Sequence, residues 1–521
     1  MNALHFFAAT LSMALCAVCT EASRAGVALG VDIGTTTTLV AKWTPDDTAP
    51  QLLHNSRGKP WCASIPVYDA GTGAALGVHG LHAADAADAT RLVGVKRLVG
   101  AAFSSPTTQQ DISTCGATGA HGGEGYHRAE GTQDVVQLHV APHVARTPMQ
   151  VTRDIVRGVL DDVWGVCTCG VHAPVPAVVT VPADFTPLQR SVTLRAAEEA
   201  GLSVLQLVNE PTAALLHASA QGRLPRPSTD HCAVVFDWGG GTFDATVLTP
   251  DLVGVAYEVL ASTGDTHLGG VDVDAALARA RGISVHAAAR AKETAVTQGT
   301  AFADDVAVTK QHVIDAAALC VHRAVHLTSQ AVARSGVESS EITHVVLVGG
   351  STVLPGVHDA VRAAFPRANV VQWDSVESRT CVVQGAAWLA AQLRRAQAPG
   401  RAASSARSDY VRTSVDDAPC VHDALTHTIS VRVADKYAHR VLQRDSPLPT
   451  SGSAVFTTQR DGQVVFDMNV YAGESALTSQ CTLLGAFRVH GVPPAPAGAQ
   501  RVRVTIHVDA SGTVTVNATH A

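Results

Sequence analysis

Phe-Asp-Trp-Gly-Gly-Gly-Thr-Phe-Asp, at residues 236–244, decides the fold, because Gly-Val-Asp-Ile-Gly-Thr-Thr-Thr-Thr at residues 30–38 states the same pattern far upstream. Each follows an apolar run (residues 27–31 and 233–236) and precedes another (39–41 and 245–248). That arrangement predicts a β-hairpin with a glycine-rich tip and one early aspartate. Glycine lets backbone N–H groups close on phosphate oxygens, and threonine hydroxyls add donors. Asp32 and Asp237 would repel bare phosphate, so they imply a bound cation, Mg²⁺ with its waters. Two such hairpins face to face would clamp a nucleoside triphosphate.

Further segments stand around this pair. Pro-Ala-Val-Val-Thr-Val-Pro-Ala-Asp-Phe (176–185) leads into a helix and then Asn-Glu-Pro-Thr-Ala-Ala (209–214). His-Val-Val-Leu-Val-Gly-Gly-Ser-Thr (344–352) reads as a buried strand ending in a diglycine turn suited to adenosine. Val-Lys-Arg-Leu-Val-Gly (95–100), Gly-Asp-Thr-His-Leu-Gly-Gly (264–270) and Gly-Val-Pro-Pro-Ala-Pro-Ala-Gly (491–498) complete the set. In this order the motifs, from about Val27 to the C-terminus, resemble the seventy-kilodalton heat-shock (DnaK-type) chaperone family.

Composition bounds the alternatives. A chain of 521 residues, 46% hydrophobic and 16% charged, folds as two or three globular domains. A net charge of −7 without basic patches gives no electrostatic case for nucleic acid or anionic membrane. Residues 1–22 form an apolar leader, readable as a signal peptide or an upstream extension, too short for stable membrane insertion. A cleaved leader would send the chain to the ER lumen or secretory pathway; otherwise the cytoplasm is expected. The 11 cysteines include two in the leader and an odd remainder, so no complete disulfide framework is expected. The close pair Cys167 and Cys169 reads as ordinary thiols.

Residues 27–397 alternate strand-like and helical stretches, among them helices at 189–200 and 316–335, which is α/β organisation. Residues 116–131, rich in Gly and His, read as an exposed loop. Residues 398–422 read as a linker, and 423–521 as an all-β module with strands at 429–433, 464–471, 486–489 and 502–508. The resemblance implies an actin-like two-lobed ATPase domain followed by a β-sandwich that holds extended peptide. The family's helical lid is not expected, since the chain reaches Ala521 directly after the last strand.

Site residues follow from the resemblance motif by motif. Asp32, Gly34, Thr35 and Thr36 match the first phosphate loop; Asp237, Gly239, Gly240, Gly241, Thr242 and Asp244 match the second. Lys96 matches the lysine that holds the γ-phosphate and attacking water, and Glu210 the carboxylate of the metal–water network. Gly269, Gly270, Lys292, Gly349, Gly350 and Ser351 match positions around the adenosine. Pro182 and Arg190 match the relay to the peptide domain, and Phe456, Phe466 and Met468 the peptide pocket. The implied cofactors are ATP or ADP and Mg²⁺, with K⁺ possible. The implied partners are unfolded or nascent polypeptides, a J-domain co-chaperone and a nucleotide exchange factor.

The chain also departs from the family. Val353 and Arg379 stand where the family has an arginine and an aspartate near the adenosine. Glu293 replaces a basic residue and Ala289 an acidic one, and the segment between Gly270 and Lys310 is short. Pro419-Cys420-Val421-His422-Asp423 replaces a leucine run, so weak linker docking is expected. Phe466 replaces a pocket valine and would overfill the pocket. The leading expectation is an atypical chaperone that hydrolyses ATP slowly and exchanges polypeptide fast. The alternative is a nucleotide-loaded, non-hydrolysing scaffold for a J-domain protein, including at the ribosome. A metabolite kinase of the actin-like superfamily would explain the loops but not the β-module.

Overall fold

A computed structural model of the chain describes residues 26–78, 89–114, 117–118, 126–128, 134–164, 174–224, 231–250, 256–397, 420–434 and 436–520. The apolar leader, Cys167, Cys169 and most of the linker lie outside the described residues. Two short strands, Ala117–Thr118 and Tyr126–Arg128, stand within the stretch read as an exposed loop.

The duplicated motif produces a duplicated sheet. In the first, β1 (Ala28–Ile33) pairs antiparallel with β2 (Thr37–Trp43), and β3 (Val175–Val181) runs parallel to β1 with β4 (Leu202–Asn209) beyond it. In the second, β5 (Cys232–Trp238) pairs antiparallel with β6 (Phe243–Pro250), which pairs with β7 (Ala256–Asp265). There β8 (Ile342–Val348) runs parallel to β5, with β9 (Asn369–Val371) beyond it. The spatial order β4-β3-β1-β2 thus recurs as β9-β8-β5-β6. Strands such as Val-Pro-Ala-Val-Val-Thr-Val are nearly continuous apolar runs because helices cover both faces.

Helices α1 (Pro148–Trp164) and α2 (Pro187–Glu199) share a core with the first sheet. Helix α2 starts where Thr186 caps the Gln189 N–H, Gln189 returns a bond to the Thr186 N–H, and Pro187 takes the first helical position. Helix α3 (Glu210–Ala220) lies between the sheets. Helices α4 (Gly270–Arg281), α5 (Val285–Gln298) and α6 (Lys310–Ser335) enclose the core of the second sheet. Helix α7 (Glu377–Gln397) packs on α3 so closely that a Cβ on Gly385 would sit 1.8 Å from the Ala213 carbonyl oxygen. The long helices anticipated at 189–200 and 316–335 are α2 and α6, the latter one turn and more longer at its start.

The linker, expected to dock weakly for want of apolar residues, does pair with the second sheet. Cys420–His422 forms β10, a parallel strand added to β7 with Tyr257 opposite Val421, so this end of the linker belongs to the second sheet. Backbone pairing needs no leucine, and the register begins at Cys420, after the proline. Asp423, buried, then accepts the hydroxyl of Thr212 on α3, which supplies polar anchorage where apolar area is small.

The β-module is a two-sheet sandwich. Its strands are β11 (Ile429–Val433), β12 (Tyr437–Leu442), β13 (Thr450–Thr457), β14 (Phe466–Ala472), β15 (Thr482–Val489), β16 (Arg501–Val508) and β17 (Val514–His520). One sheet runs β12-β11-β14-β15 and the other β13-β16-β17. Along β16, Val502, Val504, Ile506 and Val508 point inward with period two. Strands β12 and β13 stand beside those named from the sequence, and β17 is the strand expected directly before Ala521.

Candidate nucleotide site

The tips of the two hairpins meet at the mouth of the cleft. Each closes with the same bond: the Gly34 N–H donates to the Thr37 carbonyl, and the Gly239 N–H to the Thr242 carbonyl, both at 3.0 Å. The glycines of the second tip are demanded by the threonines of the first. A Cβ on Gly240 would fall 2.3 Å from Thr36 Oγ1, and one on Gly241 2.5 Å from Thr35 Cγ2. Gly269 is held as tightly, 2.5 Å from the Gly240 carbonyl oxygen by the same measure.

Asp32 and Asp237 occupy equivalent positions at the ends of β1 and β5, opposite Leu39 and Asp244. Burial, then the charge of Glu210, pushes the Asp32 carboxyl up to about 6 despite Lys96 and a 2.8 Å hydrogen bond from the Thr180 hydroxyl. Burial, Glu210 and Asp32 drive Asp237 well above the ordinary range, and burial with Glu210 does the same to Asp244. A divalent cation would relieve this crowding. Among the described residues no three carboxylate, imidazole or thiol groups assemble into a cage. The donor set therefore fits Mg²⁺ held through waters and phosphate oxygens.

Lys96 lies on a short 3₁₀ turn, Val95–Leu98, and its Nζ is 2.6 Å from Glu210 Oε1 at the start of α3. Each side chain is only 10% exposed. The ammonium also stands 5.8 Å from the centre of the Phe185 ring, beside a cavity lined by Gly34, Thr35, Thr180 and Lys96 itself. Its neighbour Arg97, not singled out from the sequence, ties the first lobe to the second. It donates to the Gly241 carbonyl at 2.9 Å and pairs with Asp272 at 3.1 Å. Its place beside Lys96 in the quoted motif was the available signal, and so was that of Thr180 within 176–185.

The far end of the cleft is built by β8, α4 and α5. Gly349 has φ +89, and a Cβ there would lie 2.4 Å from the Trp238 carbonyl oxygen, so glycine alone fits the turn after β8. Ser351 donates to the Gly239 carbonyl at 2.7 Å, and Gly270 N–H to the same oxygen at 3.1 Å. Lys292 reaches the Gly270 carbonyl at 3.1 Å and Asp274 at 2.7 Å. Two of the departures noted in the sequence meet here: Arg379 pairs with Glu293 at 3.3 Å.

Arg190 is buried where the lobes meet the β-module. It donates to the carbonyls of Phe185 and Ala183, to Asn209 Oδ1, and across the interface to the Ser511 carbonyl at 3.3 Å. Pro182 ends β3 and accepts from the Phe185 N–H. Arg444 donates to the Ser262 carbonyl at 2.7 Å, Arg334 forks onto Asp445, and His427 stands 3.7 Å from Asp184. In the β-module Phe466 and Met468 are buried in the sandwich core, and Phe456 is half-buried against His439. No helix among the described residues is long and apolar enough to cross a membrane.

Known proteins show which family the chain matches. The model of the family described as "Hsp70 protein" matches residues 28–281 and 283–521. The chain is 31% identical over 517 residues to a "Chaperone protein HscA homolog" of Acidovorax ebreus, covering 94% of this chain and 76% of that one. Proteins of the same description from Bordetella petrii and Ralstonia pickettii are 31% and 29% identical with the same coverage.

Proposed function

The chain belongs to the Hsp70 family, whose members are ATP-dependent chaperones, and on that premise we propose that it binds Mg-ATP between its two hairpins and hydrolyses it slowly. The observation that carries this reading is the Lys96–Glu210 pair at 2.6 Å, set beside both phosphate loops. Thr35, Thr36, Gly239, Gly240, Gly241 and Thr242 supply hydroxyl and backbone donors to the phosphates. Asp32 and Asp237 would hold the waters of Mg²⁺, and the bound ion would supply positive charge against the phosphoryl oxygens. Lys96 holds the attacking water and the γ-phosphate, while Glu210 fixes the ammonium and joins the metal–water network. Gly269, Gly270, Lys292, Gly349, Gly350 and Ser351 surround the nucleoside.

Family members bind unfolded polypeptides and J-domain co-chaperones. In this chain the side chains of Phe466 and Met468 fill the sandwich core, which supports weak, fast-exchanging binding of extended or nascent polypeptide. Arg190, reaching from Asn209 to Ser511, is the contact through which nucleotide state reaches the β-module. Phe466 and Met468, buried in the sandwich core, favour a second reading, a nucleotide-loaded, non-hydrolysing scaffold for a J-domain protein.

Single-turnover hydrolysis, with the full chain in excess over ATP and Lys96→Ala alongside, separates the two. We expect slow ADP formation that vanishes in Lys96→Ala. Bound ATP that stays intact in the unaltered chain would sink the ATPase reading and leave the scaffold.

A further inference from the structure

Each hairpin tip is braced by a serine from outside it. On the second tip, Ser351 donates to the Gly239 carbonyl at 2.7 Å. The equivalent glycine of the first tip is Gly34, since both donate to the carbonyl three residues on. The Gly34 carbonyl accepts from the hydroxyl of Ser64, again at 2.7 Å. The two serines come from unrelated places. Ser351 lies in the turn after β8, whereas Ser64 follows the short strand Cys62–Ala63, which pairs with the start of β2.

Ser64 is buried and holds both limbs of the first tip. Its N–H donates to the Thr36 carbonyl at 2.9 Å, and its hydroxyl also meets Thr38 Oγ1 at 2.8 Å. Two carbonyls of the turn therefore face Ser64. The Gly34–Thr35 peptide is trans, and a planar trans peptide sends its N–H opposite to its C=O. Fixing the Gly34 carbonyl thus also fixes the Thr35 N–H, on the side away from Ser64. On the second tip, Ser351 and the Gly270 N–H share the Gly239 carbonyl and fix the Gly240 N–H in the same way. Donors aimed before a phosphate arrives cost no reorganisation when it binds. We propose that Ser64 is a positioning residue for the nucleotide, aiming the Thr35 N–H at phosphate as the counterpart of Ser351. The proposal rests on the nucleotide reading of the cleft given above.

The test measures Mg-ADP affinity by titration calorimetry, and melting without nucleotide, for the full chain, Ser64→Ala and Thr38→Val. Ser64→Ala frees the Gly34 carbonyl. Thr38→Val removes the other partner of the same hydroxyl and leaves its bond to Gly34 in place. Each variant loses one buried hydroxyl, so both should melt somewhat lower, and affinity separates them. Mg-ADP should bind about 10-fold more weakly to Ser64→Ala and within about 2-fold of the unaltered chain to Thr38→Val. A Ser64→Ala chain within about 2-fold of the unaltered one, or a loss in Thr38→Val as large, overturns the proposal and leaves the proposed function standing. A free Ser64→Ala chain that no longer melts cooperatively makes the role structural and overturns it too. An unaltered chain that binds no Mg-ADP overturns both readings together.

Discussion

The two hairpins share strand order, tip hydrogen bond and aspartate position, yet their chemistry has diverged in a complementary way. The first carries threonines at its tip, Thr35 and Thr36, and an apolar Leu39 opposite its aspartate. The second carries bare glycines at its tip and a second carboxylate, Asp244, opposite Asp237. The strand beside each differs too. Thr180 on β3 gives Asp32 a hydroxyl, whereas the equivalent place beside Asp237 on β8 is Val348. Where the tips meet, the first hairpin presents Thr35 and Thr36 and the second leaves space at Gly240 and Gly241, so neither could serve as a copy of its partner without the tips colliding.

Steric complementarity of the tips gives the largest expected effect. Gly240→Ala places a methyl 2.3 Å from Thr36 Oγ1, so the tips must part. We expect Mg-ADP affinity to fall by about 100-fold or more, since misplacement of about 1 Å is severe where donors converge. Thr36→Ala alone should cost less than about 10-fold, the loss of one hydroxyl. The double variant should then bind better than Gly240→Ala alone, because the space vacated at Thr36 accepts the new methyl. Titration calorimetry on the four proteins measures the coupling, and a double variant weaker than both single ones would break the interpretation.

Proton linkage comes next. In the nucleotide-free chain the Asp32 carboxyl is raised to about 6 from an ordinary 3.8. Between those two values the folded chain holds a proton that the unfolded chain has released, so this group's contribution to stability declines as pH rises through that window. A bound cation requires the carboxylate, and Mg²⁺ must expel the proton. Affinity for Mg-ADP should therefore climb by up to about 10-fold per pH unit as Asp32 gives up its proton, and go on climbing wherever Asp237, also raised, still holds one. ADP without Mg²⁺ should show a flatter profile, and Asp32→Asn should remove much of the slope while lowering the plateau. A Mg-ADP profile flat from pH 5 to 7.5 would show that Asp32 does not face the cation.

The sequence carried the symmetric part of this site and missed the asymmetric part. Both hairpins, their aspartates and the parallel strand ending in Gly349 were legible because glycine, threonine and β-branched residues act through local backbone geometry. The nesting of Thr36 on Gly240 was not legible, because it depends on how two distant segments are brought together. Arg97 and Thr180 were quoted inside motifs and still passed over, since a side chain's partner across a cleft leaves no trace in spacing. The docked strand was not legible for a related reason. Apolar content of residues 419–423 was weighed, whereas the strand is held by backbone pairing to β7 and by the Asp423–Thr212 contact.

The smallest effect isolates the difference between the neighbouring strands. Thr180→Val removes the hydroxyl from Asp32 and makes the first hairpin resemble the second, while Val348→Thr grafts a hydroxyl beside Asp237. A hydrogen bond to a charged group contributes about 1.5–3 kcal/mol, less where a second carboxylate shares the field. Thr180→Val should raise the Asp32 pKa further and move the foot of the Mg-ADP profile to higher pH. Val348→Thr should lower the Asp237 pKa and strengthen Mg-ADP binding by a few-fold on the acid side of the profile, where the proton competes. If both variants shift the profile in the same direction, the two aspartates are not equivalent by position. The repeat would then have preserved the backbone of the hairpin but not the office of its carboxylate.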